Sequence, residues 1–182
     1  MGTRASVSGV WCLTAALFLC RAGAGDVRAQ ALPVLSEADR LEVSRYQLGD
    51  GVLGRIIDVN TQLLTKVTSD RTLREALLAQ SRSPAPATLD EAVRRCERET
   101  AVAALLAHAG LRPREYLVAQ LAMIQAVAAL ENVRAGLAKA PRPGSGALAS
   151  NMAFIEAHPD RARLFETVFD ELAAVLDGGS RR

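Results

Sequence analysis

The sequence predicts an all-α fold: a single helical bundle of about five to seven helices behind an N-terminal signal peptide. Three observations predict it. Apolar residues recur at helical spacing through most of the chain, no stretch alternates like a strand, and Gly, Pro and capping residues fall where the periodic stretches would start and stop. The longest helical signal is 113–139, with Pro113 at a first helical position, Glu115 in the first turn and no further Pro until Pro141. At 1.5 Å per residue that is a helix of about 40 Å. It is apolar on nearly every side down to Leu130, which fits either the centre of a bundle or a membrane span. The apolar part, 117–130, would rise only about 21 Å and includes Gln120 and Gln125, so the bundle centre is the better reading.

The chain begins with Arg4, an apolar run over 10–20 and a small-residue region, the order of charge, apolar core and cleavage region that marks a secretory signal peptide. The small-x-small rule places cleavage after Ala31, with Ala24 the alternative. A lipoprotein start at Cys20 is disfavoured by the bulky Leu19 before it, and the myristoylation pattern through Gly2 and Ser6 is outranked by the export segment. Removing residues 1–31 from the 182 leaves 151, enough for one domain over 32–177 with a frayed tail over 178–182. Loss of Arg4, Arg21, Arg28 and Asp26 takes 22 basic and 20 acidic residues to 19 of each. The formal charge falls from +2 to zero, which gives nucleic-acid binding no support. Cys12 and Cys20 leave with the leader, and Cys96 alone cannot staple the chain. The expected destination is the periplasm or the extracellular space.

Ser36 reads as an N-cap, with Asp39 standing where a capping-box Glu would be. Leu41, Leu48, Val52, Ile56, Val59, Leu63 and Val67 then share a helical face, and Gly49, Gly51 and Gly54 predict a break, giving helices near 36–48 and 51–68. Ser69 or Asp70 caps a short helix to about Gln80. The polar, proline-broken 81–87 links two helical halves. Thr88 to Glu91 is a capping box for a helix presenting Leu89, Val93, Cys96, Thr100, Ala103 and Leu106, stopped at Gly110. Only Leu111 and Arg112 precede Pro113, so this helix and the central one should form an antiparallel hairpin. After the turn at 140–146, Ser150 or Asn151 starts a short helix ended by Pro159. Pro159 starts the last helix, whose Leu164, Phe165, Val168, Phe169, Leu172 and Leu176 should pack against the central helix.

Gly49-Asp50-Gly51-Val52-Leu53-Gly54 spells GxGxxG, but a dinucleotide site needs a preceding strand, and here a capped helix precedes it. A helix junction is the better reading. His108, His158 and Cys96 are too few for a structural zinc site, and neither CxxCH nor paired Glu-x-x-His is present. Non-covalent haem held by Met123, Met152 or the two His residues is the alternative class. No cofactor is assigned. Cys96, on an apolar face, reads as a buried thiol, with an intermolecular disulfide as its competitor. No arrangement for nucleophilic catalysis is recognisable, so an enzyme is the least supported class.

Gly110-Leu111-Arg112-Pro113-Arg114-Glu115-Tyr116, the Ala-rich helix after it and Asn151-Met152-Ala153-Phe154-Ile155-Glu156-Ala157-His158 resemble a loosely defined set of small exported bacterial helical proteins of unknown function. Their pattern is a "TPREY"-like helix start and an "NxxFxxxH"-like segment before a final helix. Arg112 departs from it where a Ser or Thr is expected. The resemblance implies export and a helical fold and supplies no mechanism. The functional expectation is a binding or interaction module, its partner a small apolar ligand or another protein, with a homodimer as one form and no stable membrane span after cleavage. The candidate pocket residues are Tyr116, Gln120, Asn151 and His158.

Overall fold

The computed structural model describes residues 36–81 and 86–176, so the leader, its two cleavage sites and the 178–182 tail lie outside the described residues. The described residues form one all-helical domain: α1 Glu37–Arg45, α2 Asp50–Ser69, α3 Arg71–Ser81, α4 Leu89–Arg98, α5 Thr100–His108, α6 Pro113–Arg134, α7 Ala147–Ala157 and α8 Pro159–Leu176. No strand occurs among them.

The eight helices exceed the expected five to seven because the 88–109 segment breaks at Glu99, whose ψ of 96° leaves the helical region. The break resets the helical phase. Leu89 and Cys96 are buried on α4 as expected, but on α5 the buried face is Val102, Leu105 and Leu106, while Thr100 is exposed. α5 thereby turns onto α2 while α4 runs back along α6.

Most boundaries follow local chemistry. Ser36 Oγ accepts the Asp39 N–H at 3.1 Å. Asp70 Oδ1 accepts the Leu73 N–H, and Thr88 Oγ1 accepts the Glu91 N–H while Glu91 reaches back to the Ala87 N–H, a near-complete capping box. At Gly110, with φ +64°, the Gly110 N–H reaches Ala107 O and the Leu111 N–H reaches Leu106 O, so buried Leu111 closes a Schellman stop. Gly136, φ +72°, repeats it: its N–H reaches Val133 O and that of Leu137 reaches Asn132 O. The central helix therefore ends at Arg134, not near Lys139. α7 starts at Ala147, several residues before Ser150, with Gly146 in an extended glycine-type conformation as N-cap.

α6 is long and apolar enough to cross a membrane by length and composition alone. Within the domain, eleven of its 22 residues are buried, enclosed by α1, α4 and α7 and by α2 across a separate seam. α8 lies chiefly against α2, with α3 and α7 beside it. This corrects the expectation that the Phe-bearing helix covers α6. Phe165 and Phe169, stacked with centroids 5.5 Å apart, instead close the α2 side of the core.

Candidate functional site

The start of α6 gathers the polar chemistry of the domain. Pro113 occupies the first turn, where its missing N–H costs nothing. The next three residues project in three directions, because successive helical positions are about 100° apart. Arg114 reaches α1, donating Nε to Glu42 Oε1 at 2.9 Å and Nη2 to Glu42 Oε2 at 2.6 Å, and also pairs with Asp90 at the start of α4. The Glu42 carboxylate raises the Arg114 pKa further, with desolvation opposing it and Asp90 adding to the rise. Asp39 lies 3.8 Å from the same guanidinium, and its Oδ2 accepts the Leu89 N–H at 3.1 Å. The same Oδ2 accepts from the hydroxyl of its own N-cap, Ser36, at 2.7 Å, so Asp39 ties the starts of α1 and α4 together.

Glu115 faces Arg55 of α2 at 3.7 Å, and Arg55 Nη1 donates to Gly110 O at 3.2 Å. Tyr46, half-buried beside them, has its phenol pushed up by burial and then by the Glu115 charge, with Arg55 opposing.

Tyr116 points into the seam with α2. Its hydroxyl donates to Asn60 Oδ1 at 2.6 Å, and Gln120 Nε2, one helical turn on, donates to the same oxygen at 3.2 Å. Asn60 is 1% exposed, and its Nδ2 has no hydrogen-bond partner among the described residues. Ile56, Val59 and Leu63 on α2 and Ala119 and Met123 on α6, all buried, make the rest of the seam apolar. Burial, and the nearby Cys96 thiol after it, push the Tyr116 phenol well above its ordinary value, as expected of a desolvated site.

The other two candidate residues sit at the α1–α2 connection. Asn151 clamps it: Oδ1 accepts the Leu48 N–H at 2.8 Å and Nδ2 donates to Tyr46 O at 2.9 Å. His158, the α7 C-cap, packs on Phe154 in a tilted arrangement with centroids 4.6 Å apart, and places Nδ1 2.9 Å from Phe154 O and Nε2 3.3 Å from Asp50 Oδ1. Arg161 Nη1 shares the Asp50 carboxylate at 3.0 Å.

The structure thus brings Tyr116 and Gln120 together, on Asn60, and places Asn151 and His158 on other partners. The glycine-rich stretch is the α1–α2 junction: Gly49 is the N-cap of α2, and Gly51 and Gly54 lie in its first turns. Cys96 is buried at 2%. Among the described residues no group of three His, Cys, Asp or Glu could hold a metal ion. Two residues escaped the sequence reading. Asn60 carried a usable signal, a polar residue between Val59 and Leu63 on an otherwise apolar face. Arg114 carried none, since its acidic partners are distant in sequence.

No family model, curated protein or solved structure matches the chain.

Proposed function

We propose that the mature chain is an exported helical-bundle binding module that takes a small, mostly apolar ligand at the α2–α6 seam. The observation that carries this reading is Asn60. A buried amide with an unused donor costs about 1–3 kcal/mol, so its retention beside Tyr116 and Gln120 in an apolar seam needs a reason. Ligand sites have this make-up, apolar walls with a few placed polar groups. The neutral mature charge and the leader favour an uncharged ligand met outside the cytoplasm, and the resemblance to small exported bacterial proteins points the same way.

Native mass spectrometry of protein purified from its own compartment tests the reading. A retained small organic molecule is the expected result. A haem or metal mass would replace it with the cofactor-bundle alternative, and a ligand-free dimer with an interaction module. The same spectra give the N-terminus: cleavage after Ala31, or at Ala24, is expected, and a chain still starting at Met1 would overturn export.

A further inference from the structure

We infer that the missing partner of Asn60 is a neutral oxygen acceptor supplied from outside the chain, the oxygen of a small ligand's carbonyl or hydroxyl group or of a water molecule. In its ligand form this rests on the binding-module reading above, and names the chemistry that the site selects.

The orientation of the amide decides which hydrogen bond is missing. The 2.6 Å contact with the Tyr116 hydroxyl lies within the range of an O–H···O bond and below that of an N–H···O bond, so the oxygen of Asn60 faces the phenol. Gln120 Nε2 supplies a second donor to the same oxygen. Oδ1 is then filled and Nδ2 offers donors that no group among the described residues accepts. The partner must therefore be an acceptor.

Its charge follows from the surroundings. The site is desolvated, so an anion would need a cation close by. Of the cations on the same two helices, Arg55 is committed to Gly110 O and Glu115 and Arg114 to Glu42 and Asp90, while Lys66 and Arg134 are exposed. A cation would meet N–H groups. A neutral oxygen alone satisfies Nδ2 without leaving a charge unpaired, and the source of that oxygen is open to experiment.

The test uses the 15N-labelled full mature chain and follows the Asn60 side-chain NH2 by NMR with three probes: water, cyclopentanone, and cyclopentane as a hydrocarbon of matched shape. A saturable shift with cyclopentanone, binding about tenfold tighter than cyclopentane and losing that preference in Asn60→Leu, supports both the inference and the binding-module reading. A persistent water contact at the NH2 with no cyclopentanone binding supports the inference and overturns the small-ligand reading. An Asn60 NH2 that contacts neither water nor cyclopentanone overturns the inference. Should Asn60→Leu fail to fold, the wild-type contacts still decide.

Discussion

Arg114 grips Glu42 with two nitrogens across 72 residues of sequence, at 2.9 and 2.6 Å, in the fork geometry that a lysine cannot reproduce. The pair is only partly buried, with side-chain exposures of 41% and 39%, so screening limits what it contributes. The same arginine also faces the nearly buried Asp39, which would be left without its cation. Arg114→Ala should cost about 1–2 kcal/mol in denaturant unfolding. Arg114→Lys should recover less than half of that, and 1 M salt should shrink the difference. A cost unaffected by both would mean that packing, not charge, explains the arginine.

Asn151 satisfies two backbone groups of the α1–α2 connection from a 3% exposed position. Asn151→Ala should lower stability by about 2–4 kcal/mol, since a buried N–H and C=O each lose a partner. Asn151→Asp keeps the acceptor for Leu48 and loses the donor to Tyr46. Its defect should shrink as pH falls and the carboxyl regains a proton to donate, which urea unfolding at pH 4 and pH 7 would show.

Two glycines make opposite predictions. Gly54 lies inside α2, where a Cβ meets nothing within 4 Å, so Gly54→Ala should stabilise by up to about 1 kcal/mol through helix propensity. Gly136 has the same free space but a φ of +72°, and Gly136→Ala should cost about 1 kcal/mol. Thermal unfolding of the two variants should move Tm in opposite directions.

How much of this was legible in the sequence depended on the range of the interaction. The Ser36, Asp70 and Thr88 caps, the Gly110 stop and the Pro159 start were readable because each is satisfied within a few residues. The stop at Gly136 was hidden by the Ala-rich helical pattern that continues past it. The break at Glu99 has no Gly or Pro to mark it, because α5 turns there to reach α2. In the sequence the candidate residues are isolated polar positions on helical faces. Their separation into an α2–α6 pair and an α1–α2 clamp depends on partners 56 to 105 residues away, which spacing along one helix cannot reveal.

Glu166 on α8 has its carboxyl pushed up by burial first and then by Glu131 and Asp170. A raised folded-state pKa means that the native state holds the proton more tightly than the unfolded chain. Stability from this group is therefore full below the ordinary Glu value and lost as pH rises from there through the folded-state value. Glu166→Gln should be more stable than wild type at pH 7, with the gain gone at pH 3. Equal gains at both pH values would assign the effect to something other than the charge.

The first turn of α6 also sets when the domain can assemble. Three neighbouring residues there complete contacts with α1, α2 and α4, two of which come from the half of the chain before residue 82. Neither half carries a full set of partners, so a chain cut between 81 and 86 should yield two fragments that fold only on mixing. In the intact protein the two halves then meet in one cooperative step, and the loop closures that bring distant segments together, more than helix formation, set the folding rate.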